Sequence, residues 1–223
     1  MATTIDSALM FTPPDKGHIW STLSDIGQLF QVDIAEAFRE YKIQRGFSEL
    51  HNVLLGIDDQ SRTLEEYMAR QDPASLAGLI DNMDFFGRTP LAWAVESGRP
   101  DAVRTLLWYG ANPHQTRKSS TTTSSFPLLH LAIAGPILNP QFLDVVQALL
   151  DWGADINGKD NEGWTPLHIA VSWSLYAVMP LLIRCSDLDW FAMTEKGEFP
   201  WTIPAEREFR QTFHLTQEEN PSA

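Results

Sequence analysis

The sequence predicts an all-α fold built from stacked pairs of short helices. The stretch Gly163-Trp164-Thr165-Pro166-Leu167-His168 opens one helix, and it recurs almost position for position at Gly87-Arg88-Thr89-Pro90-Leu91-Ala92. A second helix follows the earlier copy and ends at Gly110-Ala111, and a looser copy ends in the same way at Gly153-Ala154. This recurrence indicates a repeat architecture, in which each helical pair buries its apolar face against its neighbours.

The repeated stretch begins a helix for identifiable physical reasons. Gly163 ends a turn, and the side-chain oxygen of Thr165 can cap the first turn of the following helix. Pro166 occupies the first helical position, where its missing N–H has no cost. Leu167 and Ala170 lie three positions apart and therefore share one helical face. The same roles fall in the earlier copy to Gly87, Thr89, Pro90 and Leu91.

The copies divide the chain into a series of units. Residues on either side of them keep only parts of the pattern, so we expect these residues to form degenerate terminal caps with polar outer faces. The predicted divisions are 1–46 for an N-terminal tail and helical extension, 47–83 for an N-terminal cap, 84–116, 117–159 and 160–192 for the repeats (84–192 in all), and 193–223 for a C-terminal cap and tail.

Several segments depart from a regular repeat. A regular repeat has about 33 residues, and the spacing from Gly110 to Gly153 is about ten residues longer. Part of the excess is a polar run at 117–125, which we expect to be a flexible, elongated turn loop. Pro180 interrupts the second helix predicted over 176–184, which should therefore start late or bend. A short helix over 205–213 is predicted to close the stack.

The N-terminal extension carries an amphipathic pattern. An apolar stripe is formed by Val32, Ala35, Phe38 and Tyr41, as is typical of a helix with one buried face. The predicted helix ends at Gly46. This helix either covers the open end of the repeats or serves as a separate docking element. The sequence leaves both interpretations open.

Composition narrows the class of partner. The chain has 223 residues and a net charge of −13, with 16 Lys and Arg residues against 29 Asp and Glu residues. A nucleic-acid interface needs clustered cations, so we expect neither nucleic-acid binding nor docking on an anionic membrane. The acidic balance favours partners with basic surfaces.

The single cysteine, Cys185, cannot form an internal disulfide, and no Cys/His set has zinc-ligand spacing. The N-terminus lacks the features of a secretory signal, and no apolar run is long enough to span a membrane. We therefore expect an intracellular protein, cytoplasmic or nuclear or both. No phosphate-binding loop, nucleophile elbow or metal-ligand pattern is present, so no catalytic, cofactor-binding or metal site is predicted.

The pairing of Gly-x-Thr-Pro-Leu with a downstream Gly-Ala-Asp/Asn resembles the ankyrin-repeat family. The resemblance is strong over 84–113 and 160–189 and looser over 127–157. It implies an ankyrin-repeat solenoid of stacked helix-turn-helix units with degenerate terminal caps and an N-terminal helical extension. The stretch Glu49-Leu50-His51, which precedes Gly56, is also similar to ankyrin proteins of filamentous fungi.

The resemblance implies a function and roles for individual residues. In the family, the turn tips and the exposed side of the first helices form a concave surface that binds proteins. The chain is therefore expected to be a monomeric, non-catalytic protein-protein interaction module or scaffold. His130 and His168 are expected to hydrogen-bond the turn backbone rather than to bind a metal. The family pattern places the candidate partner-binding residues at Phe85, Phe86, Arg88, Glu96, Trp164 and Trp173.

Alternatives stay open at this point. The aromatic candidates either bind a partner or pack against neighbouring turns, whereas Trp93 and Trp108 lie on helix faces that suit the core or the back surface. The chain could instead be a regulatory or targeting segment that docks onto an enzyme or a larger assembly through its N-terminal helix. The irregular helix at Pro180 also allows a diverged protein that has no selected partner.

Overall fold

A computed structural model describes residues 43, 45–56, 62–118, 125–134 and 141–203 of the chain. The chain divides into two compact units, an N-terminal unit formed by Met1–Asn112 with Arg117–Thr123 and a C-terminal unit formed by Pro113–Thr116 with Ser124–Ala223. The apolar stripe at 32–41 and the helix predicted over 205–213 lie outside the described residues.

The N-terminal unit is a stack of short helices. They are α1 (Glu49–Leu55), α2 (Leu64–Ala69), α3 (Pro73–Leu79), α4 (Pro90–Glu96) and α5 (Pro100–Trp108). Helix α1 pairs with α2, and α4 pairs with α5. Across the stack α1 contacts α4 and α2 contacts α5, so first helices pack on first helices and second helices on second helices.

The C-terminal unit repeats this arrangement. Strand β1 (Thr116–Lys118) precedes it, and its own elements are β2 (Ser125–Pro127), α6 (Leu128–Ile133), α7 (Gln141–Asp151), α8 (Pro166–Ser172), α9 (Met179–Ile183) and the 3-10 helix η1 (Pro200–Thr202). Helix α6 pairs with α7, and α8 pairs with α9. Helix α8 also contacts α6 and η1, which makes it the centre of this unit.

Several helices begin where side-chain caps satisfy the first backbone N–H groups. Thr89 has extended backbone angles, and its Oγ1 accepts a hydrogen bond from the Ala92 N–H at 3.2 Å. Asp72 accepts from the N–H groups of Ala74 and Ser75 at 3.1 and 3.0 Å. Helix α9 begins only at Met179, with Pro180 in its first turn, where the missing N–H is tolerated. The late start predicted for this helix is observed.

Two tryptophans show which helix faces form the core. Trp93 on α4 is 1% exposed and packs inside the N-terminal unit, whereas Trp108 at the end of α5 is 74% exposed. Leu91 and Leu106 in this unit and Leu167 in the C-terminal unit are fully buried. The apolar faces expected from the repeat pattern therefore form the core of each unit.

The polar run at 117–125 is only partly described, because residues 119–124 lie outside the described part of the chain. Its described ends are extended, in strands β1 and β2, which the sequence did not predict. The Leu128 N–H donates to the Gln115 carbonyl at 3.3 Å. This bond fixes the start of α6 within the C-terminal unit.

Candidate functional site

Three turns of the same construction precede the first helices, at 84–88, 160–164 and 194–198. In the first, Oδ1 of Asp84 accepts from the N–H groups of Phe86 and Arg88, each at 2.9 Å. The Asp84 N–H donates back to the Arg88 carbonyl at 2.8 Å. The side chain of one residue thus fixes the whole turn.

The other two turns use the same bonds. Oδ1 of Asp160 accepts from the N–H groups of Glu162 and Trp164, each at 2.9 Å. In the last turn Thr194 supplies the oxygen, and its Oγ1 accepts from the Glu198 N–H at 3.2 Å. The fourth residue of every turn is a glycine with positive φ, namely Gly87, Gly163 and Gly197.

Three buried histidines, on helices α1, α6 and α8, each connect their helix to the next of these turns. Nε2 of His51 lies 3.1 Å from the Arg88 carbonyl, Nε2 of His130 lies 2.8 Å from the Trp164 carbonyl, and Nε2 of His168 lies 3.2 Å from the Glu198 carbonyl. Because a carbonyl only accepts, Nε2 carries the hydrogen in all three rings. Each histidine therefore joins one helix start to the turn of the following repeat.

The opposite ring nitrogen explains why two of these histidines are neutral. Nδ1 of His168 accepts from the Thr165 N–H at 3.1 Å and from the Thr165 hydroxyl at 2.7 Å. Nδ1 of His51 has the same relation to Ser48, at 3.2 and 2.8 Å. Burial lowers the pKa of both imidazoles below 6.5. Each of these two rings therefore holds a helix start against the following turn.

His130 differs because a proline stands in the capping position. Pro127 has no N–H and no hydroxyl, so nothing there donates to the ring of His130. The side chain is 1% exposed, and its Nδ1 has no hydrogen-bond partner among the described residues. Burial lowers the pKa of His130 as well. In the repeat that starts at Gly87, Ala92 takes the place of the histidine.

The aromatic residues of the first turn differ in exposure. Phe85 is 73% exposed and its ring lies against Gly46, where an added Cβ would come within 2.5 Å of Phe85 Cδ1. Phe86 is half-buried, and the guanidinium of Arg45 lies 4.2 Å from its ring centroid. Phe85 therefore faces solvent, whereas Phe86 is part of a packed contact.

Arg88 and Glu96 form an ion pair inside the N-terminal unit. Nε of Arg88 lies 3.2 Å from Oε2 of Glu96, and the two side chains are 6% and 7% exposed. The Arg88 guanidinium also lies 4.9 Å from the ring centroid of Trp93, whose Nε1–H donates to Oδ2 of Asp84 at 3.1 Å. The side chains of Arg88 and Glu96 hold the turn and helix α4 together and present little surface to a partner.

The two tryptophan candidates also differ. Trp164 is half-buried, with its ring 6.1 Å from that of His168. Trp173 is the C-cap residue of α8 and is 52% exposed. Of the six candidate residues, Phe85 and Trp173 therefore offer the largest exposed aromatic surfaces, one in each unit.

Known families match both units. A model described as ankyrin repeat matches residues 86–118, and a model described as ankyrin repeats (many copies) matches residues 143–183. An ankyrin repeat protein of fowlpox virus (strain NVSL) is 37% identical over 101 residues, which are 44% of this chain and 27% of that protein.

The chain contains ankyrin repeats. Two further relatives carry the same repeats within much longer chains. Neurogenic locus notch homolog protein 1 of Homo sapiens is 33% identical over 111 residues, which are 49% of this chain and 4% of that protein. Inversin of Canis lupus familiaris is 35% identical over 108 residues, which are 48% of this chain and 9% of that protein. The matched part thus spans about a quarter or less of these relatives.

Sequence reasoning missed two features of these ankyrin repeats. One is His51, which does in the N-terminal cap what His168 does in the last full repeat. The signal was present, because Ser48-x-x-His51 has the spacing of Thr165-x-x-His168. The other is an aromatic cluster that joins the end of the last repeat to the final unit, where Phe191 is 69% exposed.

The ankyrin repeats contain little that suggests chemistry. Among the described residues, no group of three His, Cys, Asp or Glu side chains could hold a metal ion. Burial raises the pKa of the Cys185 thiol, which contacts the Leu181 carbonyl at 3.6 Å, so the reactive thiolate is disfavoured. None of the helices in the described ranges is long and apolar enough to cross a membrane.

Proposed function

We propose that the chain is a non-catalytic module that captures a protein partner on the turn-and-helix surface of its ankyrin repeats. Ankyrin repeats in general mediate protein-protein interactions. The observation that carries the proposal is Trp173, a large aromatic side chain that is 52% exposed at the end of α8. Exposed tryptophans on a rigid frame are typical anchors of protein interfaces.

The frame around Trp173 is preorganised. The Trp173 N–H donates to the Ile169 carbonyl at 3.0 Å, and the Leu175 N–H donates to the Ala170 carbonyl at 2.8 Å. A partner would therefore meet a surface that needs little ordering, which favours affinity. Phe85 offers a comparable exposed ring in the N-terminal unit. Within that N-terminal unit, the ion pair of Arg88 and Glu96 holds the turn against helix α4.

The experiment compares two exposed tryptophans. Trp173→Ala should abolish capture of the partner in affinity purification with mass spectrometry, while circular dichroism stays unchanged. Trp108→Ala is the matched control, because Trp108 is also exposed but lies at the end of the second helix α5. A set of captured proteins that is the same for the wild type and Trp173→Ala would contradict the assignment of this surface.

The alternative is docking onto an enzyme or a larger assembly through the N-terminal helix, and the contacts of Arg45 favour it less. Arg45 is 6% exposed, and its carbonyl accepts from the Phe85 N–H at 2.7 Å. This part of the extension thus packs on the first turn, as a cap would. The intracellular location, the monomeric state and the lack of nucleic-acid binding stay predictions.

A further inference from the structure

An aromatic cluster with one exposed ring lies on either side of the turn at 194–198 in the C-terminal unit. The rings of Phe191 and Trp201 meet edge to face with centroids 5.2 Å apart, and Phe199 stacks on Trp201 at 5.1 Å. Phe191 is 69% exposed and the neighbouring Met193 is 49% exposed. Phe199 and Trp201 are half-buried, so the exposed surface consists mainly of Phe191 and Met193, and exposed apolar surface of this kind can mark an interaction site.

The backbone beneath this cluster is held by the preceding repeat. Both groups of the Asn157 amide are used, since its Nδ2 donates to the Asp187 carbonyl at 2.6 Å and its Oδ1 accepts from the Asp189 N–H at 2.8 Å. The Glu195 N–H donates to the Glu162 carbonyl at 2.9 Å. The cluster is therefore fixed in place before any partner arrives.

One carboxylate lies beside the exposed ring, and others lie in the same segment of the chain, residues 187–201. Oδ1 of Asp189 accepts from the Phe191 N–H at 2.9 Å, which places a negative charge beside that residue. Asp187 and Glu195 are exposed in the same segment. The segment also has one exposed cation, Lys196, and the ammonium of Lys159 is directed to the Met193 carbonyl at 2.9 Å. Residues 187–201 thus contain four carboxylates and one lysine.

Aromatic faces next to carboxylates suit a guanidinium group. Arginine stacks over an aromatic ring through a cation–π contact and pairs with a carboxylate through its fork of N–H donors. The N-terminal unit contains this combination in a completed form, because Arg88 lies 4.9 Å from the Trp93 ring centroid and pairs with Glu96 at 3.2 Å. In the C-terminal unit the ring and the carboxylate belong to Phe191 and Asp189.

We propose that the cluster of Phe191, Phe199 and Trp201 with Asp189 binds an arginine-containing basic segment of the protein partner. This inference rests on the proposed function, because it names the chemistry of a partner for the same module. It agrees with the net charge of −13, which favours basic partners. A basic segment would place an arginine over the exposed ring of Phe191 and direct its N–H groups to Asp189.

The test uses the full chain and fluorescein-labelled short peptides in which arginine, lysine or glutamate alternates with serine. Fluorescence anisotropy should show the arginine peptide binding more tightly than the lysine peptide, with no binding of the glutamate peptide. Phe191→Ala should weaken binding of the arginine peptide about tenfold. Asp189→Asn should weaken it about threefold, because the amide keeps the bond to the Phe191 N–H and loses only the charge.

Trp108→Ala is the control and should leave the affinity for the arginine peptide unchanged, because Trp108 is an exposed aromatic residue at the end of α5 and outside this cluster. The proposal is overturned if Phe191→Ala binds as the wild type does, or if the arginine and glutamate peptides bind alike. Capture that depends on Trp173, together with no binding of the arginine peptide, would sink this inference and leave the proposed function in place. Peptide binding that depends on Phe191, without capture that depends on Trp173, would support this cluster and contradict the surface at Trp173.

Discussion

His130 and Trp164 are joined by a hydrogen bond of 2.8 Å from Nε2–H to the backbone carbonyl, yet the other nitrogen of the same ring has no partner among the described residues. In the equivalent position of the last full repeat, Thr165 supplies two donors to His168. Pro127 supplies none. We call each histidine with its hydrogen bonds to a helix start and to the following turn a histidine bridge. In the bridge formed by His130, the bond to the following turn is present and the described residues supply no donor to Nδ1.

Replacing Pro127 should complete this bridge. Pro127→Thr supplies an N–H and a hydroxyl, whereas Pro127→Ala supplies the N–H alone and controls for the lost rigidity of proline. We expect Pro127→Thr to be more stable than Pro127→Ala by about 1 kcal/mol, the usual contribution of a side-chain cap. Urea unfolding measures the difference. Equal midpoints would show that Nδ1 of His130 gains nothing from a donor.

Acidification should weaken the bridges. Burial lowers the folded-state pKa of His51, His130 and His168 below the ordinary value of 6.5. The unfolded chain therefore binds more protons than the folded chain below about pH 6.5, and the free energy of unfolding falls as pH drops through the folded-state pKa values.

The measurement is the free energy of unfolding from urea titrations at about pH 7.5 and about pH 5.5. The wild type should lose stability between them, and His168→Asn should lose less because one of the three groups is gone. A variant that loses as much as the wild type would exclude His168 as a source of the pH dependence.

Two glycines test how closely neighbouring turns approach each other. Both have positive φ, +79° at Gly163 and +76° at Gly197, so an alanine at either position adds about 1–2 kcal/mol of backbone strain. A Cβ at Gly163 would also lie 2.7 Å from the Glu195 nitrogen, whereas a Cβ at Gly197 meets nothing within 4 Å.

We expect Gly163→Ala to reduce the free energy of unfolding by about 1–3 kcal/mol more than Gly197→Ala, the usual cost of overpacking. Thermal or urea unfolding of the two variants measures this difference. Similar losses in both variants would mean that the turn at 194–198 shifts freely away from Gly163.

Removing only one partner of the Arg88–Glu96 ion pair should lower the free energy of unfolding considerably. Arg88→Met leaves the Glu96 carboxylate buried without its counterion, and we expect a loss of about 3–5 kcal/mol. Arg88→Met combined with Glu96→Leu should cost less than the single change. Arg104→Ala is the control, since its pair with Asp101 is 49% and 94% exposed and should contribute under about 0.5 kcal/mol. A small effect of Arg88→Met in urea unfolding would contradict the structural role.

Arg45 should anchor the N-terminal extension to the first turn. Its guanidinium lies 4.2 Å from the Phe86 ring centroid and 5.3 Å from that of Trp93. Arg45→Met should therefore cost about 2 kcal/mol, and Arg45→Lys should not fully restore it because an ammonium lacks the planar face. The Phe85 amide donates to the Arg45 carbonyl, so faster hydrogen exchange of this amide in Arg45→Met would report the weakened contact locally. Unchanged protection of that amide would exclude this anchor.

Much of the fold could be predicted because the helix starts are encoded locally. Thr89 and Thr165 cap their own helices, and Pro180 delays its own helix, so a few neighbouring residues suffice for each prediction. The hydrogen bonds of His130 and His168 to the turn backbone followed from the family resemblance. The extended segments at β1 and β2 were not foreseen, because their residues are polar and carry no alternating pattern.

The candidate site was harder to predict because exposure depends on distant contacts. Arg88 and Glu96 are charged residues that a sequence pattern places on the surface, and only the packing around Trp93 shows that they pair inside the unit. Trp201 lies in a unit that has lost the threonine of the repeat motif, with Phe199 in its place. The sequence therefore predicts a degenerate cap there, although Trp201 contacts Phe191, which is 69% exposed.

The direction of the histidine bonds has a practical consequence for truncation and repeat grafting. Each histidine donates forward, from its own helix to the turn that opens the next repeat. A chain cut at 192 would end before Glu198 and leave the Nε2–H of His168 without its acceptor. A cut after 198 retains the acceptor. Repeats taken from this protein should therefore be exchanged with the following turn attached, and not at the boundary that the sequence motif suggests.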